Sequence, residues 1–324
     1  MTADTAVHPA GDPAGPAARQ AGPPAAGELE LLRALGAYTV VPPPASSHLG
    51  DALGLAPLTA ADHTRLFVLD LPPYASVYLG ADGQLGGDDA DRVAGLWRAL
   101  GLTPPSEPDH LASLLALDAE LGHAATTCRT ALARRRLAHA RQTLRAEHLT
   151  SWLAAYLAAA ATYPGGAGWA QLCHAAVGHG AVGHGADPAH QHPLAAALRD
   201  APPSLATTDE LDQLLDALVA PVRSGFVLPH RDLQQAGDEI GVGVRRGERR
   251  YTLRALLEQD PAATLAWLAR HARRWSALHR SQPLDPAASR WWSGRATGAA
   301  AVLAELAQLS GLDGLATLAT TAPR

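Results

Sequence analysis

From Glu28 to Leu309 the apolar residues recur at helical spacing, in segments closed by proline or glycine. A pattern of period 3.6 buries one stripe of a helix and cannot bury one face of a sheet, which needs period 2. Helices are expected over 28–37, 48–54, 59–69, 88–100, 106–121, 126–163, 169–177, 208–219, 229–240, 250–258, 261–278 and 285–309. Tyr74-Ala75-Ser76-Val77-Tyr78-Leu79 is the stretch with strand propensity. With no partner strand in sight, it is expected as an extended connector. The fold class that follows is all-α, a compact bundle of roughly ten helices.

The helix expected at Ser106 has an unusual first turn. Ser106 and Asp109 stand at the spacing of a capping box, and Pro108 suits the first turn, where it forfeits no intrahelical bond. Leu111, Leu114, Leu115, Leu117 and Leu121 fall within an arc of roughly 160°, wide enough to face a core. His110 and Asp118 fall inside the same arc, so each needs a partner in the core or a pocket to line. Further on, Leu144, His148, Trp152 and Tyr156 form an i, i+4 column that sets a histidine beside an indole.

The chain has 324 residues, 47% of them hydrophobic, ample for a substantial core. Met1 to Gly27 is rich in Ala, Pro and Gly and is expected as a disordered leader. A single helical domain is expected over 28–311, with a flexible Gly/His-rich insert at about 164–193 and a tail at 312–324. The net charge of -5 gives no basic excess for nucleic acid. Two cysteines, Cys128 and Cys173, without C-x-x-C spacing suit a reducing compartment. No apolar run reaches the ~18 residues of a membrane span, and the N-terminus lacks a secretory signal. The expected location is the cytoplasm.

Chemistry-bearing motifs are few. A P-loop needs a lysine to reach the phosphates, and this chain has no lysine. Gly241 to Gly247 is not G-x-G-x-x-G and reads as a surface loop. His174, His179, His184, His190 and His192 lie close together and could ligate zinc, nickel or copper. Their irregular spacing and the missing cysteine or carboxylate pair favour a slipped repeat in a solvated loop. No catalytic residue and no cofactor is assigned.

Three stretches in order carry a resemblance: Leu71-Pro72-Pro73-Tyr74-Ala75-Ser76-Val77-Tyr78, then Glu107-Pro108-Asp109-His110-Leu111, then Ala146-Glu147-His148-Leu149-Thr150-Ser151-Trp152. Together they resemble the TorD/DmsD/NarJ family of redox-enzyme maturation chaperones, over approximately residues 28–280. The resemblance implies a TorD-like helical fold and a chaperone rather than an enzyme. Its partner would be a molybdenum-containing oxidoreductase of the nitrate or S-/N-oxide reductase type, or the twin-arginine leader of that subunit. The resemblance implies client binding at Pro108, Asp109 and His110, with Tyr74, Tyr78 and Trp97 lining the same groove and His148 and Trp152 contributed by the third stretch. Asp109 and His110 also have purely structural readings, as a helix cap and a core histidine.

A twin-arginine leader presents two guanidinium groups and then an apolar, helix-prone run, so its receptor needs carboxylates beside an apolar groove. Asp109 and Asp118 are the expected acceptors. Family members often carry a glutamate one turn after the Pro-Asp-His histidine, where this chain has Leu114. Two rivals are a metal-dependent hydrolase or metal-binding protein built on the histidine patch, and a permanent helical subunit of a respiratory complex. Monomer and dimer are both compatible with the sequence.

Overall fold

A computed structural model describes residues 26–182, 193–206, 210–244, 247–281 and 283–321. The N-terminal half begins with α1 (Ala26–Val40), α2 (Ser47–Ala52) and α3 (Ala60–Thr64), which continues as a π-helical segment over Arg65–Asp70. Then come α4 (Ala75–Leu79), α5 (Gly87–Ala99), α6 (Leu111–Thr127) and α7 (Ala131–Thr143), the last continuing as a second π-helical segment, Leu144–Leu149. Helices α8 (Thr150–Ala160) and α9 (Gly166–Val182) close this half. The C-terminal half holds α10 (Ala196–Arg199), α11 (Leu211–Val219), α12 (Pro221–Ser224), α13 (His230–Ile240), α14 (Arg249–Gln259), α15 (Pro261–Ser281) and α16 (Pro286–Thr321). Among the described residues there is no strand, and the all-α expectation holds.

Local sequence explains many of these boundaries. Thr59, where the helix over 59–69 is expected to begin, caps α3, its hydroxyl accepting from the Asp62 amide at 3.1 Å. Thr130 does the same for α7, accepting from Ala133 at 3.3 Å. Gly241, in the left-handed region at φ 81°, ends α13, and the Val242 amide folds back to the Gly237 carbonyl at 3.0 Å. The glycines at 241–247 therefore begin as a helix stop.

Packing in the N-terminal half centres on α1, α6, α8 and α9. Leu111, Leu114, Leu115, Leu117 and Leu121 of α6 are all buried, each stabilising the fold by roughly 2 kcal/mol before entropy is counted. Gly36 lets α1 approach α6, since a Cβ there would stand 3.0 Å from the Ala112 Cα. Across the same core runs a chain of rings. Tyr78 stacks on Trp152 at 5.2 Å, Tyr156 meets Trp169 edge-on at 5.9 Å, and Trp169 meets Phe67 at 5.2 Å. The Trp169 indole N–H donates to the Leu35 carbonyl at 3.1 Å, tying α9 to α1.

In the C-terminal half α15 and α16 run antiparallel over small polar residues. The Ser276 hydroxyl lies 3.1 Å from that of Ser293 and 2.8 Å from that of Thr297, and Arg280 donates to both serines. Their inner neighbour is the turn at Gly225, with φ 78°. A Cβ at that position would stand 2.2 Å from the Ala296 nitrogen, so only glycine fits. His279 and His271 reach this turn from α15 and bond the carbonyls of Gly225 and Val227 at 2.9 and 3.0 Å.

Four expectations need correction. Residues 74–79 are not an extended connector, because Ala75–Leu79 closes a helical turn, α4. The helix expected from Ser106 starts at Leu111, because Asp109 takes a donor elsewhere in the chain. The insert expected at 164–193 is helical over Gly166–Val182, with Trp169, Cys173 and Val177 fully buried, so its first half is core. Helix α16 continues through Thr321, where a tail was expected from 312. Of the leader expected over 1–27, residues 1–25 lie outside the described residues and Ala26 and Gly27 begin α1; His184, His190 and His192 also lie outside, and only the backbone of His179 is described.

Candidate functional site

The Pro-Asp-His element is a clip that joins two loops. The Ala75 amide donates to the Asp109 carbonyl at 3.1 Å, and the Leu111 amide donates to the Pro73 carbonyl at 2.8 Å. Between these backbone bonds the Asp109 carboxylate accepts from the Ser76 amide at 3.0 Å. A carboxylate at a helix start meets both an unpaired N–H and the positive end of the dipole. Asp109 thus caps α4 from a distant part of the chain. The Ser76 hydroxyl in turn accepts from the Gly86 amide at 3.1 Å, carrying the connection to the start of α5.

His110 is the N-cap of α6. Its Nδ1 accepts from the Ala112 amide at 3.0 Å, which leaves the ring proton on Nε2. Burial holds the imidazole below its ordinary pKa, and Glu107 and Asp109 oppose that only partly. Tyr74 packs edge-on against it, ring centres 4.7 Å apart. The Tyr74 hydroxyl is pushed up to about 12 by burial and by its hydrogen bond to Glu107. Both groups are neutral at ordinary pH, and their role here is to fix the clip.

Beside the clip lies an open groove of about 430 Å³. One wall is the face of α5 formed by Gly87, Ala90, Asp91, Ala94 and Arg98, residues spaced i, i+3, i+4, i+7 and i+11. The other wall is Pro104, Pro105, Ser106 and Pro108. Small side chains on one wall and prolines on the other leave a groove of mixed character, apolar along much of its length and polar at Asp91, Arg98 and Ser106. Asp91 and Arg98 are the charged lining residues, Asp88 and Glu107 are exposed nearby in the chain, and Leu85 stands 61% exposed next to Gly86.

Of the residues picked from sequence, the structure brings Tyr74, Pro108, Asp109 and His110 together. Four others lie in the core. Tyr78 and Trp152 are buried against each other, and the Trp152 indole N–H donates to the His148 carbonyl at 2.9 Å. His148 is buried as well, and desolvation drops its pKa to about 4. Asp118 is fully buried and already bonded to two guanidinium groups. Arg145 donates to it from Nε and Nη2 at 2.8 and 2.7 Å, and Arg141 from Nε and Nη2 at 2.9 and 3.3 Å. Asp118 is therefore not a free acceptor. Trp97 is half-buried on α5, outside the groove lining, and its indole N–H is buried with no hydrogen-bond partner among the described residues.

The α5 wall was missed in the sequence, although its signal is there: Gly87, Ala90 and Ala94 are small residues at helical spacing, and small residues on one face mark a close approach or a channel. Among the described residues no group of three His, Cys, Asp or Glu side chains could hold a metal ion. The clip itself is testable. Asp109→Ala strands the Ser76 amide and should cost about 1–3 kcal/mol in urea unfolding, whereas Asp109→Asn, which keeps an acceptor, should cost less. Equal stability of both variants and the parent would show that the carboxylate does not hold the clip.

Residues 41–158 match a family model described as the nitrate reductase delta subunit. No curated protein and no solved structure matches the chain. The matched segment runs from before α2 into α8 and contains the whole clip and both walls of the groove. Among the described residues no helix is long and apolar enough to cross a membrane. The role of the family is non-catalytic, the maturation of molybdoenzymes. Through these residues the chain is similar to the nitrate reductase delta subunit family, a match consistent with a chaperone of NarJ/TorD type.

Proposed function

We propose that this chain is a cytoplasmic chaperone that holds a molybdenum-containing oxidoreductase subunit until its cofactor is in place, gripping an arginine-bearing leader in the groove beside the clip. The observation that carries the reading is the groove itself: walls mainly of glycine, alanine and proline, with Asp91 set into them and Arg98 two turns further along α5, inside the segment that matches the family. An apolar helix-prone run can lie along such walls. A guanidinium at its head can meet Asp91 in a bidentate, charge-assisted pair. Binding should be reversible, with a dissociation constant of about 1 μM, because the client has to leave.

Asp91 replaces Asp118 as the expected acceptor, since Asp118 spends its oxygens on Arg141 and Arg145. Asp109 contributes indirectly, by holding Pro108 in the wall. The test is fluorescence anisotropy with a labelled twin-arginine leader peptide. Asp91→Arg is exposed and should fold; it should weaken binding by about 10–100-fold, the worth of a hydrogen bond to a charged group. Replacing both leader arginines by lysine should weaken it too, because an ammonium cannot make the fork-shaped pair. A folded Asp91→Arg that binds the leader as the parent does would refute the groove as the binding place.

A further inference from the structure

Between Glu120 and Glu147 the chain has six arginines and no acidic residue. Two of them, Arg141 and Arg145, turn inward onto Asp118. The other four, Arg129, Arg134, Arg135 and Arg136, are exposed. Arg134 donates to the Cys128 carbonyl at 3.3 Å, and none of the four lies in an ion pair among the described residues. Three of the four sit in the first half of α7, where the positive end of the helix dipole opposes them, and they repel one another. Helix α7 buries no residue, so packing does not explain them.

On the outer face of α7, Leu132, Arg135, Arg136 and His139 follow one another at i, i+3, i+4 and i+7, forming a single stripe. Leu132, at the start of this stripe, is 63% exposed beside the arginines. The face is convex in the manner of any lone helix and offers many guanidinium donors over a broad arc. It therefore suits an extended, flat array of anions with an apolar layer beneath better than a single buried acid. It has no Phe, Tyr or Trp on which a base could stack, the His139 imidazole being its one aromatic ring, which disfavours nucleic acid.

We propose that the outer face of α7 docks this chain on a membrane surface bearing anionic phospholipid headgroups, with the arginines among the phosphates and Leu132 inserted between them. The inference does not depend on leader binding: a positive surface repels an arginine-bearing leader, and α7 lines no part of the groove. Such a face would deliver a held subunit to the bilayer and release at modest cost, because the attachment is peripheral and screened by salt.

The test is cosedimentation of the full chain with phosphatidylcholine vesicles, with and without phosphatidylglycerol. Binding is expected only with the anionic lipid, and should vanish in about 0.5 M salt. The triple variant R134Q/R135Q/R136Q should bind about 100-fold more weakly, and Leu132→Ser a few-fold more weakly. Circular dichroism of both variants should be unchanged, since neither alters a buried side chain. Failure of the parent to bind anionic vesicles at low salt would overturn the proposal. So would a triple variant that binds like the parent. Equal affinity for polyglutamate, with the same arginine dependence and none on Leu132, would overturn it in favour of an acidic protein partner.

Discussion

Replacing Asp118 by alanine should lower the stability of the chain by about 3–5 kcal/mol, the cost of leaving buried charges without their counter-ion. Arg145 and Arg141 together make four hydrogen bonds to that carboxylate, from positions 27 and 23 residues further on. Glu28 is the remaining acid in the cluster, 3.0 Å from Arg141 and 3.7 Å from Arg145, and it is partly solvated, so it cannot neutralise both. The melting temperature should fall by roughly 10 °C for a chain of this size. A variant in which Asp118, Arg141 and Arg145 are all replaced by apolar residues should recover most of the loss, because the one charge left, on Glu28, is partly solvated. Thermal unfolding of the two variants checks this; an Asp118→Ala protein as stable as the parent would show that the guanidinium groups find water instead.

Stability should also fall steeply as the pH drops from 6.5 to about 4. His148, His271 and His279 are each pulled from 6.5 to about 4, in every case mainly by burial. Between those values the unfolded chain takes up a proton at each site and the folded chain does not, so acidification favours unfolding. Each shift corresponds to about 3 kcal/mol when the window is fully crossed. Asp232 acts in the opposite sense. Burial raises its pKa to about 6, so there the folded state is the one that gains a proton. His230, raised by its hydrogen bond to Asp70, works in the same direction as Asp232. Three strongly shifted histidines outweigh these, and above pH 6.5 their contribution is fully present. Urea midpoints measured between about pH 7 and pH 4.5 should decline continuously, and a flat profile would contradict the burial of these rings.

The two results bear on function in different ways. The carboxylate that looked from sequence like a leader acceptor is a structural counter-ion, and the histidine of the third family-like stretch is a neutral core residue. What remains for a client is the outer surface of the clip and the groove beside it. A binding defect in Asp91→Arg without loss of stability, set against the stability loss in Asp118→Ala, would separate the two roles.

Helical periodicity was readable because it is a local property: the spacing of leucines on α6 or the Thr59 cap needs no knowledge of the rest of the chain. The association of the Leu71–Tyr78 and Pro-Asp-His stretches is not local; the family resemblance implied it, and backbone bonds between the two stretches realise it. The capping box at Ser106 failed for a physical reason. A carboxylate placed to bond its own helix start also meets the amide of Ser76, 33 residues earlier, and that distant donor takes it. Helix α4 escaped notice because Tyr and Val favour extended backbone, and only the external cap on Ser76 and the burial of all five of its side chains hold the turn.

By itself, then, the sequence determined the class of fold and the approximate helix register, both of which follow from spacing within one segment. Only the tertiary structure decided where each polar group on the greasy faces finds its partner. Desolvation and pairing depend on what packs around a side chain, and for Asp118, His148 and Asp109 those neighbours come from helices far away in the chain.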